Sequence, residues 1–247
     1  SHLMQKSHQF LKAVTMFNNE EKTTFQFLSN CGLMSPTPTP FEVARFLRSS
    51  ALLDKKQIGE YLGKKKDFNI QVLQEYVKSF DFSHTDILGA LRMFLESFRL
   101  PGESQQIDRI VEAFAKYVCQ SCLGKEDLIN ADVVYCLSFA IVMLNTDLHN
   151  NNLKEETKMT LGDFVKYNTL YNKEQTRPLK KELLEGIYHS IKQEQLMVVD
   201  DPKNDNIVTK EKWNDMVMMN KYYHLSDTYL VLNSRDRELV RKELLTA

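Results

Sequence analysis

The chain has 247 residues, 43% hydrophobic and 26% charged, which suits one large or two small soluble domains with a sizeable core. A formal net charge of −1 supplies no global field toward nucleic acid or an anionic membrane. No apolar run approaches the ~18–20 residues that span a bilayer.

The opening Ser1-His2-Leu3-Met4 reads as a tag remnant outside the fold, with no secretory signal after it. Glycine and proline are sparse, at 8 and 6, and apolar residues recur at helical rather than alternating spacing, so an all-α chain is expected. Phe10, Val14 and Phe17 mark a first helix. Phe25, Phe27 and Leu28 mark a second, closed by Gly32. The stiff turn Ser35–Pro40 ends in Thr39-Pro40-Phe41-Glu42, a capping box with proline at the first helical position. Val43, Phe46 and Leu47 then face inward. A short helix over "LDKKQIGEYLG" stops at Gly63, and another carries Ile70, Leu73, Tyr76, Val77 and Phe80. Short helices joined by tight turns suggest a stacked superhelical array rather than a four-helix bundle.

Ile87, Leu91, Phe94 and Phe98 line the next helix, with Ser83 and Asp86 as its expected cap. The turn at Pro101-Gly102 follows. Then comes the acid Glu103, and then a helix lined by Ile107, Ile110, Val111, Phe114 and Val118. Local physics gives Glu103 two readings. It is a helix-start acid, worth ~0.3–1 kcal/mol through the macrodipole, or a carboxylate placed to push against an anion. A bare glycine turn there would instead attract phosphate through its free N–H groups.

The helix from Ala131 to about His149 carries an apolar stripe of Val133, Leu137, Ala140, Leu144 and Leu148. Tyr135, Phe139, Val142 and Met143 widen it beyond one face, so the helix is either central or presents a second face for something else to cover. Its polar end, Asn145 to Asn152, is also an ordinary helix terminus. After Leu196, "VVDDPKNDN" reads as a linker, with Trp213, Val217, Tyr229, Leu230 and Leu232 suggesting a small helical extension.

Nucleotide-binding, zincin and serine-hydrolase motifs are missing. Loops starting at Asp147 and Asp200 fail the calcium pattern, with Asn152 and Asp205 where glycine is needed. Cys119 and Cys122 form a lone CxxC without a second pair. Plain thiols in a reducing compartment are expected, with no metal and no cofactor.

The two stretches "FRLPGESQQIDR" (98–109) and "LSFAIVMLNTDLHN" (137–150) closely resemble the two motifs of the Sec-seven domain. This is the catalytic module of guanine-nucleotide exchange factors for Arf GTPases. The likeness covers residues 5–200, and leaves 201–247 as a linker and helical C-terminal extension. It implies an all-α, right-handed superhelix of about ten short helices in two halves. An apolar groove between the motif helices would take the switch regions of Arf. It makes Glu103 a "glutamic finger" that displaces Mg²⁺ and repels the β-phosphate, so that GDP leaves and GTP binds. No covalent chemistry is involved. Tyr135, Phe139, Met143 and Asn150 would line the groove, with Asp132 at its rim. The implied partner is an Arf-family GTPase, GDP-bound or nucleotide-free. Membrane attachment would be indirect, through recruitment of a cytoplasmic protein to Golgi or related membranes.

"LNTDLHN" and "KEKWNDMVMMN" look most like the large Golgi exchangers of the GBF/Gea type, and no pleckstrin-homology domain follows as in cytohesins. Phe139-Ala140, where brefeldin-sensitive members generally carry Tyr-Ser, implies limited sensitivity to brefeldin A. A non-catalytic helical interaction module is the main competing reading, and a bacterial effector sharing the same chemistry is a third.

Overall fold

The computed structural model describes residues 2–121, 130–149, 154–171 and 179–196. Among the described residues are ten α-helices and no strand. The expected linker and extension after Leu196 lie outside them. Two compact units are present, one ending at Ile58 and one beginning at Gly59.

The first unit holds α1 (His2–Asn18), α2 (Thr24–Asn30), α3 (Pro40–Arg48) and the start of α4 (Lys55–Leu62). α1 begins at His2 and so takes in three residues of the expected tag remnant. Phe46 of α3 is fully buried. Three rings meet it edge-on, with centroids at 5.8 Å for Phe10, 5.9 Å for Phe17 and 5.9 Å for Phe25, the favoured geometry for aromatic quadrupoles.

α2 ends as its glycine promised. Gly32 has φ +67°, the Leu33 N–H reaches the Leu28 carbonyl at 2.9 Å and the Gly32 N–H reaches Ser29 at 3.0 Å. These are the two bonds of a Schellman stop. The capping box on α3 is also formed. The Glu42 N–H meets Thr39 Oγ1 at 3.3 Å, and the Thr39 N–H returns to Glu42 Oε2 at 2.8 Å. Asn18 joins the end of α1 to the chain before α4. Its amide donates to the Leu52 carbonyl at 2.8 Å and its oxygen accepts from the Asp54 N–H at 2.7 Å.

The second unit holds the end of α4 and then α5 (Asp67–Lys78), α6 (Ile87–Glu96), α7 (Ser104–Ser121), α8 (Ala131–His149), α9 (Leu161–Tyr171) and α10 (Lys181–Gln193). A ladder of rings forms part of its core. Phe94 lies 5.0 Å from Phe98 and stacks on Phe114 at 5.2 Å, and Phe80 sits 5.5 Å from both Phe82 and Phe94. Asp86 caps α6, accepting from the Gly89 N–H at 2.7 Å. Ser83 does not share that role. Its hydroxyl donates to Asp81 at 2.6 Å, closing a local turn and holding the Asp81 carboxyl below its usual value. Arg92 reaches past the end of α10 and donates to the carbonyls of Glu194 at 2.7 Å and Gln195 at 3.0 Å, a cation placed at the negative end of that helix.

α8 packs on α6, α7, α9 and α10. It corrects the expectation that no stretch reaches membrane length. It is 19 residues long, with a mean hydropathy of 1.4, enough by length and composition to cross a bilayer. Its buried face is Val133, Val134, Leu137, Ser138, Ile141, Leu144 and Asn145. Ala140 and Leu148, expected in the stripe, are only half-buried, and Ile141 stands in it instead. The two buried polar side chains are satisfied. Ser138 donates to the Val134 carbonyl at 2.7 Å, and Asn145 accepts from the Leu196 N–H at 2.6 Å.

Candidate functional site

The turn between α6 and α7 is pinned from beneath. Ser97 ends α6, and its hydroxyl donates to the Phe94 carbonyl at 2.6 Å while accepting from Tyr76 at 2.9 Å. Phe98 and Pro101 are buried, and Gly102 and Glu103 are exposed. Glu103 stands one residue before α7, where its carbonyl accepts from the Gln106 N–H at 3.0 Å and the Ile107 N–H at 3.1 Å. It is therefore at the cap position, and not inside the first turn.

That position favours Ser, Thr, Asp or Asn, whose short side chains accept from the next amides. The carboxylate of Glu103 makes no such bond to the backbone of Gln105 or Gln106; it accepts from the Gln106 side-chain amide at 3.4 Å. A helix cap is thus a poor account of a glutamate here. The side chain projects to solvent beside the positive end of an 18-residue helix.

α7 and α8 pack on one another, and Tyr135 ties them polar to polar. Its hydroxyl donates a short hydrogen bond to the Asp108 carboxylate. That bond, with some burial and the nearby negative charge, pushes the phenol up to about 12. Phe139 is one helical turn on, its ring 5.9 Å from that of Tyr135. Met143 is one turn further and 56% exposed. Spacings of four residues put these three side chains on one face. Tyr135 and Phe139 are half-buried and Met143 is exposed, so these widening residues form a partly open row on α8, opposite the buried stripe. Asp132 is exposed in the first turn of α8, its N–H held by Asn130 Oδ1 at 2.8 Å, so Asn130 is the helix cap. Asn150 lies outside the described residues.

The polar end of α8 turns inward rather than toward a ligand. Asp147 accepts from the Met159 N–H at 2.6 Å. His149 Nε2 sits 2.6 Å from the Ile191 carbonyl, a pairing that requires a proton on that nitrogen. Lys158 donates to the Leu148 carbonyl at 2.9 Å. With Asn145, these bonds tie α8 to α10 and to the chain before α9. Among the described residues no group of three His, Cys, Asp or Glu side chains is arranged to hold a metal. Cys31, Cys119 and Cys136 are half-buried, and Cys122 lies outside the described residues.

The profile of the Sec7 domain matches residues 6–196. The chain belongs to the Sec7 domain family. This Sec7 domain is 42% identical over 201 residues to cytohesin-3 of Rattus norvegicus, covering 81% of this chain and 48% of that protein. It is 39% identical to brefeldin A-inhibited guanine nucleotide-exchange protein 1 of Homo sapiens, over 76% of this chain and 10% of that one. The chain thus spans about half the length of the one relative and a tenth of the other. Among solved structures it matches the Sec7 domain in a complex of ARF1-GDP, Sec7 domain and brefeldin A. That match has a TM-score of 0.69 and 34% identity, and covers 79% of this chain and 95% of that one. Glu103 and the open row on α8 all lie inside the matched residues of the Sec7 domain.

Proposed function

We propose that this Sec7 domain, residues 5–200, promotes release of GDP from an Arf-family small GTPase so that GTP can bind. The observation that carries the reading is Glu103. It is an exposed carboxylate at a helix start that it does not cap, on a turn held by the buried Phe98 and Pro101. The row of Tyr135, Phe139 and Met143 offers apolar area for the switch regions, with Asp132 in the first turn of the same helix; Asn150, also expected in the groove, lies outside the described residues. The relatives add support, since one is named a guanine nucleotide-exchange protein and a matched Sec7 domain is bound to ARF1-GDP.

The chemistry asked of the site is electrostatic. A carboxylate brought to the Mg²⁺ and β-phosphate of a bound GTPase competes for the cation and repels the phosphate. Two unit charges at 4 Å interact by about 4 kcal/mol at an effective dielectric near 20. No bond is made or broken, and the domain is a catalyst of dissociation. The whole protein would be cytoplasmic and recruited peripherally to Golgi or related membranes, its attachment supplied by other regions.

Glu103→Lys tests this. As a mere helix-start acid, Glu103 would lose about 1 kcal/mol of stability on reversal. As the working group, its loss should slow GDP release by ~10²–10³-fold or more, while the variant still docks on Arf–GDP through the α8 row. Release of fluorescent GDP from a truncated Arf and thermal melting are measured on one preparation. Exchange within a few-fold of wild type would leave a helical interaction module as the function.

A further inference from the structure

Gly59 in α4 and Gly63, the residue just past its end, are one turn apart and face the Glu103 turn from both of its flanks. A Cβ at Gly59 would land on the carbonyl oxygen of Arg99 and 2.9 Å from its carbonyl carbon, before the turn. A Cβ at Gly63 would come within 2.8 Å of Gln106 Oε1 and 2.9 Å of Gln106 Cβ, after it. Neither glycine has a positive φ, so close approach and not backbone conformation demands them. The second flank is also hydrogen-bonded. Arg109 Nη2 donates to the Gly63 carbonyl at 2.7 Å. Arg109 is thus turned toward α4, while its neighbour Asp108 faces α8 through Tyr135. Gln106, seated on Gly63, is the residue whose side-chain amide reaches Glu103 Oε2. The Gln106 Oε1 atom is buried.

We propose that Gly59 and Gly63 are positioning residues, a bare surface at the C-terminal end of α4 that clamps the chain at Arg99 and at Gln106–Arg109 and so fixes where Glu103 projects. The functional half of this rests on the exchange reading above. The physical reason is preorganisation. A group that acts by charge on a docked partner must be held there by its own protein, and a misplacement near 1 Å can cost on the order of 10²-fold in rate. The turn itself is short and exposed at its tip, so its position is set by what its two ends rest on.

The test compares Gly59→Ala, Gly63→Ala and, as a control, Gly186→Ala on α10, where an added Cβ meets nothing within 4 Å. Hydrogen exchange at the Gln106 and Ile107 amides, both bonded to the Glu103 carbonyl, reports the turn in the free protein. GDP release resolved into kcat and KM for truncated Arf–GDP reports function. Gly59→Ala is expected to speed both amides about tenfold or more. It should lower kcat about tenfold or more, with KM within about twofold because the α8 row is untouched. Gly63→Ala should act in the same direction but less, since part of what it meets is a flexible side chain. Gly186→Ala should change neither readout. Unchanged amides in Gly59→Ala, or a kcat unmoved although the amides are faster, would overturn the proposal. Should Gly59→Ala fail to fold, Gly63→Ala is judged by the same two readouts. Should the wild-type domain release no GDP, the exchange reading falls. The amides then decide by themselves whether α4 seats the turn.

Discussion

At Glu42 one carboxylate closes both a helix start and the turn before it. It accepts from the Ser35 N–H at 2.8 Å and hydroxyl at 2.6 Å, and from the Thr39 N–H at 2.8 Å. Burial pushes its pKa up, but these bonds from Ser35 and Thr39 outweigh that and hold it below the ordinary 4.5. A depressed carboxylate contributes stability that is present above its unfolded pKa and lost as pH falls through the folded one. Glu42→Gln should therefore cost about 1 kcal/mol at neutral pH. Its deficit should shrink as pH drops below 4.5, as read from urea midpoints at several pH values. Tyr135 has the opposite sign. Its phenol is raised to about 12 first by its bond to Asp108. The contribution is intact below the ordinary 10 and is lost as pH rises from there to about 12. Absorbance titration of phenolate should lose one late-titrating tyrosine in Tyr135→Phe, leaving Tyr61, which burial also raises to about 12, and Tyr188, which burial also raises. An unchanged curve would show that the Asp108 bond does not form.

α8 presents two faces that the same apolar alphabet could not distinguish. The buried one is core, and the other ends in the exposed Met143. Met143 is 56% exposed, so its side chain supports little of the fold. Met143→Ala should leave the melting temperature within about a degree, because surface substitutions rarely exceed ±0.5 kcal/mol. It should weaken docking on Arf–GDP by on the order of 1–3 kcal/mol as an interface anchor, measured by titration calorimetry. Early melting with normal exchange per folded molecule would instead make Met143 a core residue.

At the scale of the molecule, the end of α8 is where distant parts of the second unit are joined. Asn145 is 1% exposed and takes the Leu196 N–H, Asp147 takes that of Met159, and His149 meets the Ile191 carbonyl. Removing the Asn145 acceptor would leave a buried N–H unpaired, which costs about 1–3 kcal/mol. Asn145→Leu should lower the free energy of unfolding by that amount, as read from chemical denaturation, and GDP release per folded molecule should stay within a few-fold of wild type. A loss of exchange without a loss of stability would move Asn145 from the scaffold into the working site.

Local chemistry alone settled much of this protein. The Thr39–Glu42 box, the glycine stop at Gly32, the Asp86 cap and the helical spacing of the apolar residues all formed as read, because each depends on neighbours within about four residues in the chain. The two motif stretches also pointed to the family before any fold was in view. The tertiary structure decided what periodicity cannot carry. Periodicity says that a face is apolar, not which element covers it, so the division of α8 into buried and open rows had to await its neighbours. Asn145 and Asp147 looked like an ordinary polar helix end, since their partners lie 51 and 12 residues away. Gly59 gave no signal beyond a small residue inside a helix. Its reason is the carbonyl of Arg99, forty positions on in the chain and brought against α4 only by folding.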